Sequence, residues 1–234
     1  MKAKLLIVLT ISFIITNLTL GQESKAGANF TRTMIDKDFS PDKVYYKETG
    51  KKMPLSEFRI ITQGRVYFER EIDEEGHVIR YFYDPNNQKN TGNSSTYISE
   101  NATLPNFKLT TIDKKQIELK NLIGKLVILR FELEANSFRF KKQEIVALDK
   151  KINALSNKKD VEAIIIFGCS EDEVRKGFDI DNSNFKLVAD GENFIIKYGI
   201  HNFPSTLLID QNGKLIENFS SPESIILEDY LKNK

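Results

Sequence analysis

From Leu104 onward, apolar residues come in short, nearly unbroken runs separated by amphipathic stretches. That is the pattern of strands buried on both faces alternating with helices. Residues 126–131 (Leu-Val-Ile-Leu-Arg-Phe) and Val161–Phe167 are two such runs, and Phe185–Val188 is a shorter one. Between the first two, Phe138, Ile145, Val146, Leu148, Ile152 and Leu155 recur at helical spacing and predict a helix with one apolar face. Ser170 followed by Glu173 is a capping-box pattern and predicts a helix over 171–178. Residues 192–198 read as a short helix. Ser205–Ile209 and 214–219 read as an antiparallel pair turned by Asp210-Gln211-Asn212-Gly213. A closing helix is expected from about 222 to 231, capped by Ser221. Residues 104–109 and 116–119 are short extended segments joined by a turn at Asp113-Lys114-Lys115. Strands that alternate with helices and end in a hairpin predict an α/β fold, a sheet with helices on both faces.

Upstream the pattern changes. Residues 65–72 alternate apolar and polar, Asp73-Glu74-Glu75-Gly76 supplies a turn, and 77–83 alternate again, which is a hairpin signal. Val44-Tyr45-Tyr46 reads as a further strand, and 53–58 as a helical turn opened by Pro54, with Ser56 and Glu57 suited to a helix start. The expectation for 25–84 is a small antiparallel β-rich module that supports packing or a partner surface. Residues 85–103 are dominated by Asn, Ser, Thr and Gly without apolar periodicity and read as a polar linker, which leaves 104–234 as the second domain.

With 40% hydrophobic residues in 234, the chain can bury a core. Its 34 basic residues are balanced by 33 acidic ones, so the chain lacks the electrostatic footprint of a nucleic-acid binder. Lys2 and Lys4 precede an apolar run over 5–15, and Thr19-Leu20-Gly21 offers small residues for cleavage. Residues 1–21 thus read as a secretory signal, cut after Gly21, for an exported protein. The rival reading is a retained membrane anchor, but the run is about half the roughly 20 residues that a spanning helix needs, so no span is expected after cleavage. Export permits disulfides, yet Cys169 is the only cysteine. His77 and His201 are the only histidines, too few for a zinc site without carboxylates, and no metal or other cofactor is expected. Asn29, Asn93 and Asn101 open Asn-x-Ser/Thr triplets, which arise easily by chance.

Three segments carry a resemblance: Leu104-Pro105-x-Phe107-x-Leu109; Gly124-Lys125-Leu126-Val127-Ile128-Leu129-x-Phe131; and Tyr198-Gly199-Ile200-His201-Asn202-Phe203-Pro204-Ser205-Thr206-Leu207-Leu208-Ile209-Asp210-x-x-Gly213-Lys214. On these residues the chain from Leu104 onward resembles the TlpA-like, redoxin (AhpC/TSA-related) branch of the thioredoxin superfamily. The resemblance implies a thioredoxin-like fold, a mixed central sheet flanked by helices, here preceded by the β-rich module. It also implies that Pro204 follows a cis bond and lies against the loop that carries the family's Cys-x-x-C pair. Carried over residue by residue, the first of those cysteines falls on Asn136 and the second on Arg139, and the Trp that usually follows the strand-ending Phe falls on Glu132. Neither Asn136 nor Arg139 is a thiol, and the peroxiredoxin pattern Pro-x-x-x-Thr-x-x-Cys is absent from this loop.

Dithiol exchange needs one thiolate to attack and a second thiol to resolve, so the degenerate positions Asn136 and Arg139 exclude it in its ordinary form. What persists is a helix N-terminus beside an edge formed by Phe203, Pro204 and Ser205, where an extended peptide would dock; the alternative is an inert scaffold. Cys169 follows a parallel strand and precedes a helix, a position that can lower a thiol pKa; the preferred reading is a small apolar residue packed at a strand end. Glu132 and Glu134 suggest acid–base work, or else two solvated charges in an exposed loop. His201 lies near Pro204 in sequence, as a ligand contact or a surface residue. Two functions follow. One is an exported, non-catalytic binding or accessory domain of the bacterial envelope or periplasm, with a protein or peptide partner. The other is a thiol-dependent oxidoreductase or antioxidant protein working through Cys169 and a partner thiol.

Overall fold

A computed structural model describes residues 39–64, 66–88, 98–136 and 140–231. Residues 1–21, most of the polar stretch and Arg139 lie outside these residues. The chain divides into two compact units, Met1–Phe68 with Phe82–Gln88, and Glu69–Tyr81 with Lys89–Lys234.

The first unit holds strand β1 (Val44–Tyr46) and helix α1 (Leu55–Ile61), and it shares strands β2 (Phe68–Ile72) and β3 (Val78–Tyr83) of a three-stranded sheet ordered β1-β3-β2. Pro54 stands at the N-cap of α1. No α1 side chain is buried; instead Phe58 stacks on Phe39 and Phe68, with ring centroids 5.7 and 6.2 Å away. Val44 and Met53 are the buried residues of this unit among the described residues.

In the second unit, β4 (Lys108–Thr110) and β5 (Gln116–Glu118) form a short antiparallel pair. The main sheet comprises β6 (Leu126–Glu132), β7 (Val161–Phe167), β8 (Phe185–Val188), β9 (Ser205–Ile209) and β10 (Leu215–Phe219), in the order β10-β9-β6-β7-β8. Strands β6, β7 and β8 run parallel, and β9 and β10 complete the sheet antiparallel. Helices α2 (Lys142–Ala154), α3 (Glu171–Gly177), α4 (Glu192–Lys197) and α5 (Leu227–Leu231) connect and flank the strands. The apolar runs predict a sheet flanked by helices, and the mixed strand order is the thioredoxin-like one that the resemblance implies.

Strand alternation divides the core. Val127, Leu129 and Phe131 join the cluster with Phe194 and Tyr198, while Leu126 and Ile128 join Ile145, Leu148 and Ile152 of α2. Successive residues of a strand point to opposite faces, so Arg130 and Glu132 continue the row of Leu126 and Ile128, the face that α2 covers. The tip of the β2–β3 hairpin is bound to the rest of this unit. The Lys108 N–H donates to the Glu74 carbonyl at 2.7 Å, and Lys197 Nζ to the Asp73 carbonyl at 2.6 Å. Gly76, at φ +87°, leaves room for the Phe194 ring, which a Cβ there would meet at 2.6 Å.

Two expectations are corrected. The closing helix is broken: Ser221 caps a 3-10 turn, Pro222–Ser224, and α5 begins only at Leu227, because Ile225 adopts an extended conformation. Lys151 Nζ holds the broken stretch by donating to the carbonyls of Pro222, Glu223 and Ile225 at 2.7–3.0 Å. Strand β6 also runs one residue past Phe131, because Glu132 pairs with Phe167 of β7.

Candidate functional site

The C-terminal ends of β6 and β7, the loop at 133–136, the first turn of α2 and the segment that enters β9 meet at one end of the sheet. Phe131 pairs with Ile166 on one side and Ser205 on the other, and the Gly168 N–H donates to the Glu132 carbonyl at 2.9 Å. Asn136 is exposed in the loop after β6. The Phe203–Pro204 peptide bond is cis. Phe203 and Pro204 are partly buried, with Phe203 packed on the core that contains Phe131 and Tyr198. Ser205 is buried, and its Oγ donates to Asn218 Oδ1 at 2.7 Å. Its hydroxyl is therefore committed to β10, while its backbone pairs with Phe131 of β6.

Cys169 follows β7 and is half-buried against the α2-side core. Burial pushes its thiol up; a hydrogen bond from the Ala135 backbone opposes the shift, and the Glu173 carboxylate adds to it. The thiol pKa is thus raised, although a position before a helix N-terminus can lower one. The α3 cap itself is as predicted: in the capping box the Glu173 N–H donates to the Ser170 side chain and the Ser170 N–H donates to the Glu173 carboxylate at 3.0 Å. His77 is exposed, with Nδ1 3.4 Å from Asp73, and His201 is exposed before the cis bond. Among the described residues, no cluster of three His, Cys, Asp or Glu side chains is placed to hold a metal.

The expectation for Glu132 and Glu134 is also corrected. Glu134 is exposed, but Glu132 is 2% exposed and belongs to β6. It faces Arg130, which is fully buried and whose guanidinium is shared among three elements. Nε donates to Glu132 Oε1 at 2.8 Å, Nη1 to Thr206 Oγ1 of β9 at 3.1 Å, and Nη2 to Glu144 Oε2 in the first turn of α2 at 2.7 Å. No buried side-chain nitrogen or oxygen among the described residues lacks a hydrogen-bond partner. Burial pushes the Glu132 carboxyl up to about 7, against the pull of Arg130 and with a smaller push from Glu144. Beside this cluster is a hollow of about 420 Å³ lined by Phe140, Lys141, Lys142, Gln143, Glu144, Ala147 and Glu223. Arg130, Glu144 and Thr206 were not singled out by the sequence; the one available signal was a charged residue inside an otherwise apolar run.

Comparison with protein-family models matches residues 101–218 to the AhpC/TSA family. The thiol-disulfide oxidoreductase ResA of Bacillus thuringiensis (strain Al Hakam) is 30% identical over 132 residues, spanning 55% of this chain and 74% of that protein. The thioredoxin-like protein YneN of Bacillus subtilis (strain 168) is 27% identical over 118 residues, spanning 50% of this chain and 68% of that protein. Among solved structures, the thioredoxin domain of a thiol-disulfide oxidoreductase from Bacteroides vulgatus aligns at 21% identity with a TM-score of 0.46, over 53% of this chain and 90% of that one.

Proposed function

The chain belongs to the AhpC/TSA family, and from that premise we propose that it is an exported binding or accessory domain of the bacterial envelope, without dithiol chemistry of its own. The observation that carries this reading is the state of its single thiol: Cys169 is half-buried, its pKa is raised, and no second cysteine exists to resolve a mixed disulfide. A raised pKa leaves little thiolate at neutral pH, and the thiolate is the attacking species. In this reading an extended protein segment would dock against Phe203 and Pro204, just before Ser205 pairs with Phe131 of β6. Support for export comes from the basic-then-apolar pattern of residues 1–21. No helix among the described residues is long and apolar enough to cross a membrane.

A second reading is favoured by one observation, the hydrogen bond between the Ala135 backbone and Cys169, which brings the thiol beside the Asn136 loop. In that reading the protein is an oxidoreductase that relies on a partner's thiol to resolve the disulfide. Insulin-reduction and peroxidase assays separate the two. The binding reading predicts no turnover above background by either the natural chain or Cys169→Ser. Turnover that disappears in Cys169→Ser would replace it with the second reading. Cross-linking in the native envelope should then capture a protein through the edge at 203–205, and Phe203→Ala should reduce the yield.

A further inference from the structure

The buried cluster at the end of β6 contains one guanidinium and two carboxylates, and its members come from three elements. Arg130 and Glu132 are on β6, Glu144 is in the first turn of α2, and Thr206 is on β9, two residues after the cis-proline. The charged groups that act on Glu132 are Arg130 from its own strand, Glu144 from α2 and Lys141 just before α2; β9 contributes the uncharged Thr206 hydroxyl through Arg130. With a proton on Glu132, the Arg130–Glu144 pair is electrically balanced. Without it, one surplus negative charge is enclosed, and a low-dielectric interior penalises that charge heavily.

The two carboxylates are not equally able to leave. Glu132 is 2% exposed, whereas Glu144 is 24% exposed and lines the hollow beside Lys141 and Lys142. We propose that these side chains form a proton-operated latch: a proton on Glu132 locks the first turn of α2 to β6 through Glu144 and Arg130, and loss of that proton releases Glu144 into the hollow. The proton goes to solvent, and Glu132 alone then neutralises Arg130. The balance point falls near neutral pH, because burial holds the Glu132 carboxyl at about 7. Since Arg130 also holds Thr206, the state of the latch reaches the strand that follows Pro204. This consequence for the 203–205 edge rests on the binding reading above; the latch itself does not.

The test is a pH titration of the carbon- and nitrogen-labelled full chain by NMR, following the carboxyl carbons of Glu132 and Glu144, the Arg130 Nε–H and the Thr206 amide. The expected result is one transition near pH 7, shared by all four probes, with Glu144 moving toward the signature of a solvated carboxylate on the alkaline side. Glu132→Gln should abolish the shared transition. Glu144→Gln removes a like charge without touching the Arg130–Glu132 pair, so the Glu132 midpoint should fall. A Glu132 carboxyl that does not titrate near neutrality, or a midpoint unmoved in Glu144→Gln, would overturn the latch. Loss of peptide capture at every pH with the titration intact would instead overturn the binding function and leave the latch standing.

Discussion

Exchanging Arg130 for Met should lower the unfolding free energy by about 3–5 kcal/mol in mildly alkaline buffer, because it leaves the buried Glu132 carboxylate at the end of β6 without its cation. The loss should be far larger than for a typical surface charge, where single exposed pairs contribute about 0–1 kcal/mol. Its origin can be checked within the same urea series. Combining R130M with E132L replaces the Arg130–Glu132 pair by apolar side chains, and such replacements are often close to neutral. The double variant should therefore recover most of the loss. A double variant as unstable as R130M would mean that the guanidinium acts by packing rather than by charge.

The second large effect is a pH dependence. The Glu132 carboxyl is held at about 7 in the folded chain, against an ordinary value of 4.5, with burial the dominant cause. Between those two values the folded state keeps a proton that the unfolded state has released. Stability must therefore fall as pH rises through this window, by about 3 kcal/mol in all for a shift of this size, and stay lower above it. This is the reverse of the usual ion-paired carboxylate, whose contribution is lost toward acid. Glu132→Gln should remove the slope. The difference between natural and variant unfolding free energies, measured from acid to mildly alkaline pH, should follow a single titration that ends near pH 7. A difference that does not change with pH would refute the assignment.

The legible and illegible parts of the chain differ in the range of the interactions that decide them. Ser170 and Glu173 are three residues apart, so the start of α3 is written locally and forms as read. The apolar runs of β6 and β7 are long enough for their burial to be inferred without knowing their neighbours. In a strand buried on both faces, however, no alternation reveals which side chain points where, so Arg130 reads as a blemish in an apolar run. Its partners lie 2, 14 and 76 positions away, and only the assembled sheet shows them. Ending the strand at Phe131 puts Glu132 in a loop; its pairing with Phe167 pulls it inside. The break before α5 has the same character, because the Lys151 side chain that holds those carbonyls comes from a helix some seventy positions earlier. The side chain of Ser205 cannot be assigned from sequence either, since Asn218 reaches it only across the β9–β10 pair.

The 76-residue separation of Arg130 and Thr206 also bears on the order of assembly. A sheet of β6, β7 and β8 can form before the rest of the chain arrives, but β6, then its edge strand, would hold the Arg130 guanidinium with one donor unmatched until β9 docks. Closing so long a loop costs entropy before any contact repays it. Together these costs disfavour a populated half-built sheet, so β9 and the α2 turn should join β6 in one cooperative step. Native-state hydrogen exchange at Thr206 and Ile145 would then report a single opening event with one free energy.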